Sequence, residues 1–168
     1  MQTRPALARF AVVTALAAVG TGTVSVPASA SDAAYSQDKK YCMTVLAPLT
    51  EGAEVSEVLS HGCYSTKTAH DRAVAADRLA AVTLTVWSEH ANWGGQYQTV
   101  LGSESCDAAG YGLHPNAWWR DNLSSFYNGY DCNNSYLSGP RGNGTFGASA
   151  RWVGANLDNA VTYMKIWR

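Results

Sequence analysis

The sequence predicts a mainly β protein, a two-sheeted sandwich preceded by a disulfide-closed hairpin and a short helix. Three observations predict it. Beyond Val82 the chain alternates short β-branched and aromatic runs with Gly/Asn/Ser-rich stretches, the pattern of strands joined by turns. All six tryptophans lie beyond Ala81, so the aromatic material for a core is concentrated there. The four cysteines are an even set spread over both parts of the chain, which in an oxidising compartment reads as two staples.

Residues 1–30 read as an export signal. Arg4 and Arg9 make a positive start, Phe10 to Val19 is an apolar run of about ten residues, and Ala28-Ser29-Ala30 is a small-x-small cleavage site. The run is too short for a membrane helix, which needs ~20 apolar residues. Ser31 is the expected mature start, and no second run approaches membrane length. The expected product is secreted, extracellular and not inserted in a membrane. Twelve basic residues against 13 acidic ones leave a net charge of −1, and removal of the signal takes away two arginines and no acids. Phosphate binding needs a basic excess, so nucleic acid is not an expected partner. A monomer is expected.

Residues 31–81 form the expected N-terminal extension. Ser31 to Lys40 is a polar tail. Tyr41 to Leu46 reads as a strand ended by Pro48, Glu51-Gly52 as a turn, and Val55 to Cys63 as a second strand. Thr66 to Ala80 reads as a helix, with alanines at 69, 73, 76 and 80 on one face and Ser65 or Thr66 as its cap. Four cysteines allow three pairings. Cys42–Cys63 and Cys106–Cys132 are expected, because each pair stays inside one structural unit. Zinc ligation is disfavoured by the lack of Cys-x-x-Cys or Cys/His spacing.

Residues 82–168 form the expected main domain. Thr83 to Trp87, Ser124 to Tyr127 and Thr162 to Trp167 read as strands, and Ser138 to Gly147 as a Gly-rich separator. A degenerate repeat aligns Arg120-Asp121-Asn122-Leu123-Ser124-Ser125 with Asp158-Asn159-Ala160-Val161-Thr162-Tyr163, at a period of about 38 residues. Upstream of the first copy stands Glu89-His90-Ala91-Asn92-Trp93-Gly94-Gly95; upstream of the second, Tyr136 to Gly144 is Gly-rich without the central aromatic.

These residues resemble the βγ-crystallin Greek-key motif, in which an aromatic folds over a hairpin, a glycine takes a positive φ and a later serine closes the corner. Gly95 fits the glycine, since positive φ is cheap only without a Cβ, and Ser124 or Ser125 fits the serine. Ser88 departs from the pattern by standing where an aromatic is usual, with Trp87 one place earlier. The resemblance covers roughly half the chain. It implies a βγ-crystallin-like Greek-key sandwich and a non-enzymatic binding module. Small secreted bacterial members include calcium-binding modules, metalloproteinase inhibitors and killer-toxin-like proteins.

The resemblance also implies a calcium signature: two Asn/Asp residues, two variable ones, then Ser/Thr-Ser, supplied twice. Calcium is a hard cation that takes 6–8 oxygens. The expected ligand set is Asp121, Ser124, Asp158, Asn159, the carbonyl of Ala160, and Thr162. Arg120 occupies the first acidic position of the first copy and opposes calcium there; Tyr163 replaces the last serine of the second. The same residues also serve as plain turn formers through local hydrogen bonds. For the alternative function, inhibition of an extracellular protease, the candidate loops lie near Cys106 and Cys132 and at Ser138 to Gly147. A disulfide-tethered loop loses little entropy on binding.

Catalysis finds no motif. His61, His70, His90 and His114 are scattered, and Glu89, Asp107 and Asp121 have no acid/base spacing. Trp118-Trp119 after Pro115 form a candidate sugar platform. In a strand, though, neighbouring residues face opposite ways, which would put one of the two in the core.

Overall fold

The computed structural model describes residues 41–77, 81–129 and 131–168. The export signal, the polar tail and the last three residues of the expected helix lie outside the described residues.

Among the described residues, ten strands and two α-helices follow one another: β1 (Tyr41–Leu46), β2 (Val58–Tyr64), α1 (Lys67–Asp77), β3 (Val82–His90), β4 (Gly94–Gly102), β5 (Tyr111–Leu113), α2 (Ala117–Arg120), β6 (Ser125–Asn128), β7 (Asn134–Gly139), β8 (Gly142–Phe146), β9 (Ser149–Ala150) and β10 (Tyr163–Trp167). They form two sheets, ordered β2-β1-β4-β3-β6-β9 and β5-β10-β7-β8. The connectivity is a pair of Greek keys. In the first, β3, β4 and β6 lie side by side while the third strand, β5, crosses to the other sheet beside β10. In the second, β7, β8 and β10 lie together while β9 crosses to pair with β6. The 38-residue repeat marks this symmetry, because its two copies lead into β6 and β10.

Alternation builds the core. Along β10, Met164 and Ile166 are buried between the sheets while their neighbours are half-buried. Trp87, Trp119, Phe126, Leu84, Leu123 and Val161 join them, with the Cys106–Cys132 disulfide at the margin. Each fully buried aliphatic or Phe side chain contributes about 1.5–3 kcal/mol. Leu123 and Val161 occupy equivalent places in the two repeat copies, so each turn carries one apolar anchor into the shared core.

The N-terminal hairpin is part of the larger sheet. β1 pairs with β2 in antiparallel fashion and with β4 in parallel fashion, and Cys42 lies opposite Cys63, where the disulfide joins them. The segment between β1 and β2 crosses to the second sheet: Leu49 N–H donates to the Gly110 carbonyl (3.2 Å) and Ser56 N–H to that of Gly112 (2.7 Å). Helix α1 is capped by Thr66, whose Oγ1 accepts from Ala69 N–H at 3.2 Å. Its packed face is not the alanine row: His70 and Val74 are buried, Ala69 and Ala73 flank them, and Ala76 is exposed. Val74 reaches Met43, Val45 and Leu101 on the outer face of the sheet.

Two expectations are corrected. Ser138 to Gly147 is not a separator but the β7–β8 hairpin, turned at Pro140-Arg141. Glycine stands inside this strand pair because another backbone comes close: a Cβ on Gly139 would lie 1.9 Å from the Ala160 carbonyl oxygen. Trp118-Trp119 are not on a strand. They lie on the short α2, capped by Asn116 Oδ1, which accepts from Trp119 N–H at 2.9 Å. Trp119 is core and Trp118 packs against it edge to face.

Candidate functional site

The two repeat turns meet where the Greek keys adjoin. The chain before β6 and the chain before β10 are joined by Asn159 N–H donating to the Leu123 carbonyl (3.1 Å) and by Ser124 Oγ donating to Asn159 Oδ1 (3.4 Å). Asn159 sits at φ 54°, a left-handed conformation that asparagine tolerates better than most residues. Thr162 is tied to β7, its N–H and hydroxyl both donating to the Ser138 carbonyl at 2.8 and 3.2 Å.

A cleft of about 480 Å³ opens beside these turns. Four of the six expected ligand residues line it: Asp121, Asn159, Ala160 and Thr162. Ser124 instead bonds to Asn159. Asp158 does not line the cleft, and its Oδ1 is buried with no hydrogen-bond partner among the described residues.

Arg141, outside the expected ligand set, is the decisive neighbour. The tight β7–β8 turn projects it over the second repeat turn. There its Nη2 donates to the Asp158 carbonyl and its Nε to that of Asn156 (3.4 Å). Arg120 lines the same cleft. The available signal was a cation on the two-residue turn Pro140-Arg141, visible only if Ser138 to Gly147 is read as a hairpin.

The corner of the first Greek key is built from the expected residues. Gly95 takes φ 77°, and a Cβ there would strike Glu89. Ser125 is the closing serine: its Oγ accepts from Trp93 N–H (3.0 Å) and donates to the His90 carbonyl (2.6 Å). Trp93 folds over the hairpin, with Nε1 donating to the Phe126 carbonyl (3.2 Å).

The histidines take up separate places. His61 stands beside the Cys42–Cys63 disulfide, where burial pushes its imidazole below the ordinary 6.5. His70 is buried against Tyr97 and Asp71, His90 is exposed at the hairpin, and His114 Nδ1 lies 2.7 Å from the Thr162 carbonyl.

The chain matches no family model, and no curated protein matches it. Among solved structures, a mutant of a βγ-crystallin domain from Clostridium beijerinckii is similar at 14% identity and a TM-score of 0.35, over 50% of this chain and 97% of that chain. On its own strand order and corner geometry, the fold is a mainly β pair of Greek keys, βγ-crystallin-like at the Trp93, Gly95 and Ser125 corner.

Proposed function

We propose that this chain is an exported, non-enzymatic binding module whose two Greek keys are held together without calcium. Export is supported by the signal features of residues 1–30 and by two disulfides, which persist in oxidising compartments. No helix among the described residues is long and apolar enough to cross a membrane.

The observation that carries the metal-free reading is the Arg141 guanidinium on the carbonyls of Asp158 and Asn156. A cation already stands on the turn where calcium is expected, and Arg120 adds a second positive charge to the cleft. The carboxylates of Asp121 and Asp158 alone fall well short of the ~6–8 oxygens calcium takes. Arg141 thus does part of a metal's work, tying the β7–β8 turn to the loop before β10.

Thermal melts with millimolar calcium and with chelator test this. The two curves are expected to coincide, and Arg141→Ala is expected to lower stability by about 1–2 kcal/mol in both, the scale of lost charge-assisted hydrogen bonds. A ligand at a hundredfold excess over its Kd stabilises by ~2.7 kcal/mol. A rise of several degrees with calcium, removed by Asp158→Ala, would instead restore the calcium reading.

A second reading, inhibition of an extracellular protease, is favoured by the segment between β1 and β2. The Cys42–Cys63 disulfide closes it, and it is pinned through Leu49, Ser56 and the Tyr163 hydroxyl donating to the Glu54 carbonyl (3.0 Å). Glu51 to Val55 stay exposed on this stiff frame. Titration of thermolysin-like and subtilisin-like proteases should then show inhibition that Val55→Asp removes. No inhibition at micromolar protein sinks this reading.

A further inference from the structure

A second concavity, about 300 Å³, lies on the outer face of the larger sheet, away from the paired turns. Helix α1 forms one bank with Lys67 and Asp71. Trp93 and Tyr127 form the other. Tyr97 and the buried Ser88 and Thr99 lie between them on β3 and β4.

Trp93 occupies this place against its backbone preference. It has φ 63° and follows Asn92 at φ 58°, a conformation that is a genuine outlier for a bulky side chain. Glycine would make the same turn without strain. Nor is the indole there to fill the core, for it is 38% exposed. It is nevertheless held rigidly, by its bond to the Phe126 carbonyl, by the Arg151 guanidinium 4.6 Å from the ring centroid, and by Tyr127 set edge to face at 6.2 Å. Tyr127 is 42% exposed. Two fixed, partly exposed aromatic rings therefore border one side of the groove, Trp93 already bearing the Arg151 guanidinium.

The rest of the lining mixes polar side chains with Val74 and Val86. Lys67 and Asp71 bond to each other at 2.5 Å, and the Lys67 ammonium, helped by hydrogen bonds from His70 and Tyr97, holds the Asp71 carboxyl down at about 2. The two charges of the pair offset each other, and the nearest other charge is the Arg151 guanidinium on Trp93. Hydroxyls line the sheet, at Ser88 and Thr99. Rigid, partly exposed aromatics, hydroxyls and an offset charge pair fit a ligand that is flat and apolar on one side, rich in hydroxyls at its edge, and neutral.

We propose that this groove binds a neutral saccharide of one or two pyranose rings, stacked on the Trp93 and Tyr127 side with its hydroxyls toward Ser88, Thr99 and the α1 bank. The assignment deepens the binding-module reading and rests on it, but does not depend on whether the paired turns take calcium.

The test is titration of the folded mature chain with cellotriose, xylotriose, maltotriose and chitotriose at millimolar concentration, read by tryptophan fluorescence and calorimetry. At least one is expected to bind with a submillimolar Kd. Trp93→Ala and Tyr127→Ala are each expected to weaken that binding by about tenfold or more, equivalent to ~1.4 kcal/mol. Tyr127→Ala removes an exposed ring, so an unchanged melt should accompany its loss of binding even if Trp93→Ala unfolds. Trp152→Ala, which removes the 53% exposed indole outside the groove, should leave binding intact. Failure of all four sugars, or equal weakening by Trp152→Ala, overturns the groove assignment. The module's metal-free turns would be unaffected by that result, since the calcium melts decide them separately.

Discussion

His61 shows how one side chain can couple the fold to pH. Gln98 Nε2 donates to Thr44 Oγ1 at 2.9 Å, and the Thr44 hydroxyl lies 2.8 Å from His61 Nδ1. His61 Nε2 lies 3.4 Å from Cys63 Sγ on the other side of the ring. Burial penalises the charged ring by more than the hydrogen bond with the Met43 backbone favours it, so the folded-state pKa lies below 6.5. The unfolded chain therefore binds the proton at higher pH than the folded chain does. Stability is full above 6.5 and falls as pH drops from there toward the lowered folded value. Denaturant titrations at pH 7.5 and about pH 5 should show a larger loss for the natural chain than for His61→Asn. Equal losses would mean that His61 contributes nothing to the acid sensitivity.

At the level of elements, the first hairpin and α1 complete the sandwich. β1 covers the edge of β4, Leu46 enters the inter-sheet core, and Met43, Val45 and Val74 cover Leu101 from outside. The segment after β1 lies on β5 so closely that a Cβ on Gly112 would come within 1.9 Å of the Glu54 carbonyl oxygen. A chain beginning at Val82 loses all of this. Losing the burial of several residues, each at about 1.5–3 kcal/mol, is comparable with the ~5–15 kcal/mol that stabilises a domain. Such a chain is expected to give no cooperative thermal transition by circular dichroism. A sharp melt near that of the longer chain would show the Greek-key pair to be self-sufficient.

Across the whole molecule, legibility followed the range of the interaction. β1, the start of α1, β6 and β10 were readable to within a few residues because periodicity and capping are local. Both disulfide pairings were readable because each joins strands or loops close in sequence. The β7–β8 hairpin was hidden, since Gly139 answers to the Ala160 backbone, about twenty residues further on, and not to β propensity. Helix α2 was hidden because four residues carry too little periodicity to register. In the cleft, four of the six expected turn residues were legible but not Arg141, whose partners belong to the other end of the repeat.

By itself the sequence determined the mainly β class, the hairpin and helix ahead of it, the cystine framework, the 38-residue repeat and the corner at Gly95, with its serine at 124 or 125. Each of these depends on neighbours along the chain or on a backbone conformation that one residue type favours. Only the tertiary structure decided that the third strands are exchanged between sheets, that β1 joins β4, that a guanidinium lies on the turn before β10, and that Trp93 and Tyr127 face α1 across a groove. These are contacts between distant segments. They arise from the closing of two sheets over one core, which no window of the sequence contains.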